Sequence, residues 1–402
     1  MRTRYRSALL AILACGVLLP AGCARFDDTA AGQTFSPAPV PSPESPPEVQ
    51  GPGADSGSDP KQVRPGQSAV AVPPPQGCKD FDSSVIATCL DTVAAVAGLP
   101  GDGSTPSALA GERKSGRVLL ATGGKDATDF AKLDVQAAGD GGLTGLALSP
   151  SYVEDQLVFA YITTATDNRV VRFAKGQAPK PVLTGIPKGA SGNRGTIGTD
   201  NRGALLVATG DAGNPNAAAD GGSLAGKLLR IDTSGKAAAG NPNGSLVVAA
   251  GLHAPGGVCA SADGSRVWVT DRLADKDALY RVQPGQPLTT PAWTWPDKPG
   301  VAGCADFVDA NGSLSVGTSL AGNLQNLPVA PDGAISGKPT VSLDGKTGKP
   351  AVTYGRLAGM SMINPQLAVA GTVNKDGGTP VSSDDRVVLI TPATSGGGNG
   401  KD

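Results

Sequence analysis

Between residues 139 and 390 the sequence consists of short apolar segments separated by turns that contain glycine. Several segments alternate β-branched or aromatic residues with polar ones, and Asp-Gly, Asn-Gly or Ser-Pro pairs follow them, which is typical of strands in antiparallel sheets. The 57 glycines and 34 prolines among 402 residues disfavour a mostly helical fold. The clearest strands are predicted over residues 143–148, 157–162, 169–173, 205–208, 227–231, 257–259, 267–269, 278–282 and 386–390.

The same succession of features recurs along the chain. Residues 146–172 and residues 258–281 each contain an apolar run, a Ser-Pro or Asp-Gly turn, a strand, a polar loop and a strand that contains arginine. One such unit every ~45–55 residues is typical of propeller blades, and roughly 310 residues accommodate six of them. We therefore predict an all-β fold, a six-bladed β-propeller over residues 78–394. A tandem of β-sandwiches is the alternative, but the recurring strand order favours the propeller.

The N-terminal residues predict export. Three arginines precede an apolar run that is too short to span a membrane as a helix, and Pro20-Ala21-Gly22-Cys23 resembles a bacterial lipobox. We predict that residues 1–22 are a lipoprotein signal peptide and that Cys23 is lipidated, so the protein is anchored to the outer face of the cell membrane, in the cell envelope. A lipidated Cys15 and a plain secretory signal are the alternatives.

Residues 23–77 have the composition of a spacer rather than of a domain. They are rich in proline, cannot bury a core and are expected to stay disordered and partly extended, and residues 395–402 are expected to form a disordered tail. The whole chain carries 34 basic and 35 acidic residues without a basic block, so nucleic acid is not expected as a partner.

Four cysteines remain for the folded domain. An even number of cysteines in an oxidising compartment predicts two disulfides, for which three pairings are possible. We favour Cys78 with Cys89 and Cys259 with Cys304, because each pair joins neighbouring segments. Zinc is disfavoured, since the chain has no Cys-x-x-Cys spacing and only one histidine.

Four segments, in the order 139–150, 167–172, 205–211 and 223–232, carry a family resemblance. They resemble the glucose/sorbosone dehydrogenases, six-bladed soluble quinoproteins that use pyrroloquinoline quinone (PQQ). The resemblance spans residues 108–390 and is specific from 139 to 282. It implies a propeller, PQQ with calcium as cofactors, and oxidation of a sugar-like alcohol.

The resemblance also implies which residues carry the chemistry, and several of these are substituted. The histidine that serves as general base in the family aligns with Gly192 or Asn193, neither of which can accept a proton. His253 stands where the family has an arginine that binds the quinone, and Ala254 where it has an asparagine.

Two further cofactor positions differ as well. The lysine expected after a Ser-Leu pair is Ala321, and of a paired Arg-x-Arg motif only Arg356 is kept. PQQ has three carboxylates, so these substitutions imply that it would lose most of its cationic partners.

The only histidine has two interpretations. His253 is a replacement base or ligand contact, or else a loop imidazole bonded to the backbone, and we favour the second. A Ser-His-Asp hydrolase is disfavoured because the chain has no Gly-x-Ser-x-Gly segment.

Some acidic and aromatic residues are weaker candidates. Asp211, Asn214 and Asp220 could bind calcium, although such residues are more often turn formers. Trp293 and Trp295 are expected in a blade core or on a partner surface rather than in a sugar platform.

Two functions follow. The first is a binding propeller of the cell envelope without catalysis, whose partner is a small molecule, a glycan or an envelope protein and which needs no cofactor. The second is an active PQQ-dependent oxidoreductase with His253 and Arg356 in its altered site. The substitutions favour the first.

Overall fold

Strands account for nearly all regular structure in the computed structural model, which describes residues 77–311, 313–348 and 350–393. The predicted signal peptide, Cys23, nearly all of the spacer and the tail lie outside these residues. Blades 1 to 3 are four-stranded antiparallel sheets, here with strands from the inside outwards. Their strands are β2 (Val93–Gly98), β3 (Ser107–Glu112), β4 (Arg117–Thr122) and β5 (Lys125–Lys132); β6 (Leu143–Leu148), β7 (Val158–Thr163), β8 (Asn168–Phe173) and β9 (Lys180–Ile186); and β10 (Gly195–Thr199), β11 (Leu205–Thr209), β12 (Lys227–Ile231) and β13 (Val247–Ala250).

Blades 4 to 6 repeat this pattern, and the sixth contains the first strand of the chain. Blade 6 has the order β22, β23, β24, β1, so its outermost strand comes from the N-terminal end of the domain. The strands are β14 (Pro255–Ala260), β15 (Val267–Arg272), β16 (Asp277–Arg281) and β17 (Trp293–Trp295); β18 (Val301–Asp306), β19 (Ser313–Thr318), β20 (Leu324–Pro328) and β21 (Thr340–Ser342); and β22 (Leu357–Asn364), β23 (Leu367–Thr372), β24 (Val387–Ile390) and β1 (Val85–Ala87).

The six inner strands close into a ring. Each of β2, β6, β10, β14, β18 and β22 contacts the next, and β22 contacts β2 again. The predicted six-bladed β-propeller is confirmed. The described helices are only short turns, α1 (Tyr152–Asp155), α2 (Val308–Asn311) and the 3-10 turns Pro215–Ala218 and Pro242–Gly244. None of these described helices is long or apolar enough to cross a membrane.

The hydrophobic core is divided into six layers between neighbouring blades. The layer between blades 2 and 3, for example, contains the buried Phe159 and Tyr161 together with Val207 and Leu229. Burial of such side chains contributes about 1.5–3 kcal/mol each, so the ring is held by its blade interfaces.

Glycine lets the inner strands approach one another. A Cβ atom on Gly145 of β6 would lie 2.7 Å from the backbone nitrogen of Ile197 in β10. Gly303 of β18 approaches the backbone of Met360 in β22 in the same way. Side chains at these positions would push neighbouring blades apart, which explains the glycine in these strands.

Both predicted disulfides are present. Cys78 is bonded to Cys89 beside β1, with Cα atoms 5.4 Å apart, and Cys259 of β14 is bonded to Cys304 of β18, with Cα atoms 5.7 Å apart. The first bond closes a loop next to the strand that completes blade 6, and the second joins the inner strands of blades 4 and 5.

Candidate functional site

Four arginines meet on one face of the propeller. This top face is formed by the loops that join each outer strand to the next inner strand and each second strand to the third. Arg113 follows β3, Arg194 precedes β10, Arg272 ends β15 and Arg356 precedes β22, so the four come from four different blades. We refer to these four residues as the arginine cluster.

Two members of the cluster are fixed by the protein. Arg113 donates hydrogen bonds from Nη1 to the carbonyl oxygen of Gly141 at 2.7 Å and from Nη2 to Asp376 at 2.8 Å. Arg272 donates to the carbonyl oxygens of Gly300 and Val301 at 2.9 and 2.8 Å.

The other two are held less firmly. Arg356 donates from Nη1 to the carbonyl oxygen of Gly377 at 3.0 Å, and its buried Nε has no protein partner. The guanidinium of Arg194 makes no hydrogen bond to any residue that the structure describes. Donors therefore remain on the top face for a ligand.

The arginines are close enough to repel one another. Burial lowers the pKa of Arg194; Asp140 opposes this shift, and Arg113 and Arg356 add to it. Burial also lowers the pKa of Arg272 well below its usual value, and the charges of Arg194 and Arg356 contribute. Among the described residues only Arg113, of the four, has a carboxylate oxygen within 4.0 Å. An anion that bound here would relieve this repulsion.

The nearby carboxylates point towards the backbone instead. Asp140 accepts hydrogen bonds from the backbone N–H groups of Asn193 and Arg194 at 3.1 and 3.3 Å. Asp271 is buried and accepts from those of His253 and Ala254 at 2.9 and 2.7 Å. These carboxylates organise the loops and form no salt bridge with Arg194, Arg272 or Arg356.

His253 lies on the same face and is bonded to a side chain. Its Nδ1 is 3.1 Å from Oδ2 of Asp211, and the backbone N–H of Asp211 donates to the carbonyl oxygen of His253 at 2.9 Å. The interpretation that we favoured from the sequence, an imidazole bonded to the backbone, is therefore wrong. The ring contacts the carboxylate of Asp211 instead. When Nδ1 carries the proton, Nε2 has a lone pair that can accept one.

The aligned position of the family base has a structural role. Asn193 is buried, its Oδ1 accepts from the backbone N–H of Gly189 at 2.9 Å, and its Nδ2 donates to the carbonyl oxygen of Gly189 at 2.9 Å. Gly192 adopts a positive φ of 69° in the same loop. Neither residue presents a base to the top face.

Another cation lies close to Ala321, the position at which the resemblance implies a lysine. Arg272 Nη2 donates to Oγ of Ser319 at 2.9 Å, two residues before Ala321. Arg272 thus brings a positive charge to the part of the site where the resemblance implied a lysine.

The calcium candidates are engaged in turns. Asp211 accepts from the N–H of Gly213 at 2.8 Å, Asp220 from that of Gly222 at 2.9 Å and Asn214 from that of Asn216 at 3.2 Å. In the described part of the chain, no group of three or more His, Cys, Asp or Glu side chains is placed to hold a metal ion. Of the two tryptophans in β17, Trp295 is buried and Trp293 half-buried, with ring centroids 6.5 Å apart.

Sequence reasoning identified Arg356 but missed the rest of the arginine cluster. The signal was an arginine at the top-face end of a strand in each of three further blades. It could have been found only by aligning the blades with one another, because these arginines lie about 80 residues apart in sequence.

The chain thus forms a closed six-bladed β-propeller with a cationic top face. The family model for "Glucose / Sorbosone dehydrogenase" matches residues 94–298, and the chain belongs to this family. It resembles the PQQ-dependent sugar dehydrogenase propellers. No curated protein sequence matches the chain significantly.

Solved structures with the same fold include enzymes of this family. The PQQ-bound aldose sugar dehydrogenase of Streptomyces coelicolor is 30% identical with a TM-score of 0.68, and the match covers 76% of this chain and 96% of that one. A putative oxidoreductase (glucose dehydrogenase) of Thermus thermophilus is 27% identical with a TM-score of 0.67, covering 76% and 98%. The aldose sugar dehydrogenase of Escherichia coli in its apo form, at 19% identity and a TM-score of 0.62 over 76% and 98%, supports the fold alone.

Proposed function

We propose that this protein is a binding propeller whose arginine cluster holds a small molecule with several carboxylates. The observation that carries the proposal is the arrangement of Arg194, Arg272 and Arg356, which lie together without a carboxylate within 4.0 Å among the described residues. Arginine binds carboxylates through paired N–H donors, and half-buried guanidiniums are screened less by water than exposed ones.

PQQ has the chemistry that this site would take. Its three carboxylates match Arg194, Arg272 and Arg356 in sign. The guanidinium of Arg194 and Nη1 of Arg272 make no hydrogen bond to a described residue, and the buried Nε of Arg356 still lacks an acceptor. The residues present therefore fit such a group better than the substitutions at Ala254 and Ala321 suggested. PQQ is thus the probe of choice, without being the only polycarboxylate that fits.

The binding test uses variants on opposite faces. We expect the tryptophan fluorescence of the purified protein to be quenched saturably as PQQ is added. Arg194→Gln and Arg272→Gln should each weaken binding about tenfold or more, because each removes a charge-assisted pair. Arg281→Gln, at the opposite end of its strand, is the matched control and should bind as the wild type does. Equal affinity in all four proteins would refute the proposal.

The second candidate is a PQQ-dependent oxidoreductase that acts on a sugar-like alcohol, with calcium if the family chemistry is kept. It is favoured by the contact between His253 and Asp211 on the top face. PQQ, when bound, supplies a quinone that accepts a hydride. His253 would take the hydroxyl proton at Nε2, and Asp211 would orient the ring and stabilise its charged form.

A dye assay separates the two candidates. An active enzyme should reduce an electron-acceptor dye with PQQ, calcium and an aldose, and His253→Gln should abolish turnover while PQQ still binds. PQQ binding without dye reduction by the wild type would exclude the oxidoreductase and leave the binding propeller.

We also propose that the propeller is exported and anchored by a lipid on Cys23, with residues 23–77 as its spacer. The lipobox-like segment before Cys23 supports this, as does a resemblance of segments 183–189 and 293–304 to the mycobacterial lipoprotein LppZ. A glycan or an envelope protein remains an alternative partner of the top face. Labelling with a palmitate analogue in the producing bacterium should mark the wild type and not Cys23→Ser, and equal labelling would contradict the anchor.

A further inference from the structure

A separate cavity lies at the other end of the ring of inner strands. Its volume is about 510 Å³, and its walls are the ends of β2, β6, β10, β14 and β22 that point away from the arginine cluster. This volume falls within the roughly 300–1,000 Å³ typical of small-molecule sites. A second, much smaller cavity of about 10 Å³ lies beside Gly145, Gly257 and Gly359. No member of the arginine cluster is among the described residues that line either cavity, and we refer to the larger one as the lower cavity.

The lower cavity has uncharged walls. No Asp, Glu, Lys, Arg or His is among the described residues that line it, whereas Leu146, Ile197 and Val258 are. Two of its hydroxyls are already engaged: Ser149 Oγ donates to Asp155 at 2.6 Å, and Ser361 Oγ accepts from the N–H of Gly98 at 3.0 Å. An ionic ligand would lose its hydration here without gaining a partner of opposite charge.

Methionine is concentrated at this cavity. The chain has three methionines, and both of those beyond Met1, Met360 and Met362, line the cavity. Methionine side chains are flexible and polarizable and adapt to apolar ligands of differing shape. At the rim stand Tyr152 and Val153 of α1, and Val153 is 79% exposed.

We propose that the lower cavity binds a neutral small molecule. The two ends of the propeller then differ in chemistry, with an anion site on the top face and an uncharged site opposite. The proposal is independent of the proposed function, because it uses none of the arginine cluster.

The test uses the neutral fluorescent probe N-phenyl-1-naphthylamine. We expect the purified protein to increase the probe's fluorescence saturably, with one probe bound per chain. Met362→Lys should weaken binding about tenfold or more, because it places a charge in an uncharged wall. Met362→Leu keeps the volume and polarity and should bind nearly as tightly as the wild type.

The Arg272→Gln variant is the control for the opposite face and should bind the probe as the wild type does. Circular dichroism checks that Met362→Lys is folded, which its half-buried position favours. Absence of saturable binding, or equal binding by Met362→Lys and Met362→Leu, would overturn the proposal. Loss of binding in Arg272→Gln would also overturn it, because the probe would then occupy the top face.

Discussion

Single buried charges organise the loops of the top face. The ammonium of Lys227 donates hydrogen bonds to the carbonyl oxygens of Ala217, Ala218 and Ala225 at 2.7, 3.1 and 2.8 Å. Burial lowers the pKa of Lys227. This one side chain thereby closes the long loop between β11 and β12, which also carries Asp211.

Replacing this lysine should loosen that loop. Lys227→Met leaves three carbonyl groups without their donor, and we expect the free energy of unfolding to fall by about 2–3 kcal/mol. Hydrogen exchange should become faster in residues 210–226 before it does so elsewhere. The exposed Lys236→Met is the control and should change little. Unchanged exchange in the loop of Lys227→Met would contradict this role.

A second buried charge should give the protein a particular pH dependence. Burial raises the pKa of Asp271 to about 7, although hydrogen bonds from the backbone of His253 and Ala254 oppose the shift. At pH values between the usual pKa of an aspartate and about 7, the carboxyl group of Asp271 is protonated in the folded state and ionised in the unfolded state. Stability from this group is therefore present at low pH and is lost as the pH rises towards 7.

We expect the wild type to lose about 2 kcal/mol of stability between pH 5 and pH 8 through this group. Asp271→Asn cannot titrate, so its unfolding free energy should change less over the same range. Denaturant titrations should be repeated in a His253→Gln background, which removes the imidazole next to Asp271. If the unfolding free energies of the proteins with Asp271 and with Asn at this position changed with pH in parallel, the raised pKa of Asp271 would be refuted.

At the scale of single strands, the sequence predicts some positions of a blade and not others. Each strand predicted above corresponds to an inner, second or third strand, such as β6, β7 and β8 of blade 2. The outermost strands were not recognised. Strand β5, with the sequence KDATDFAK, is mostly exposed, so it carries no apolar alternation and is defined only by its pairing with β4.

The ring is closed by the pairing of a single strand, β1, from the N-terminal end of the domain. Strand β1 pairs with β24, Asp80 forms a salt bridge of 3.1 Å with Arg386, and the hydroxyl of Tyr354 donates to Asp82 at 2.7 Å. The sequence predicted the disulfide beside this strand but not that the strand completes the last blade, because pairing between chain ends leaves no local pattern.

The two disulfides should stabilise the domain unequally. They close loops with sequence separations of 11 and 45 residues, so the chain-entropy model gives about 3 and 4 kcal/mol. We expect the Cys259→Ala/Cys304→Ala variant to lose more unfolding free energy than Cys78→Ala/Cys89→Ala, also because its sulfurs are buried. Denaturant unfolding under non-reducing conditions measures both. A larger loss from the first disulfide would show that closure of the ring dominates stability.

At the scale of the whole molecule, the repeat predicted the number of blades, and folding assembles the site. The arginine cluster comes from blades 1, 3, 4 and 6, and only closure of the ring brings these residues to one face. The contact of Arg272 with Ser319 near Ala321 illustrates this point, since the two residues are far apart in sequence. Comparing the sequence with the family pattern, one position at a time, shows that the lysine is lost. Such a comparison does not show that Arg272 lies beside the same place in the fold.

On the proposed function, the top face binds carboxylates through the arginine cluster. The most direct measurement is isothermal titration calorimetry of the wild type with PQQ and with PQQ trimethyl ester, which keeps the ring system and lacks the three charges. We predict saturable binding of PQQ that weakens with added salt, and binding of the ester that is at least about tenfold weaker. Equal binding of both compounds, or binding of neither, would contradict the account.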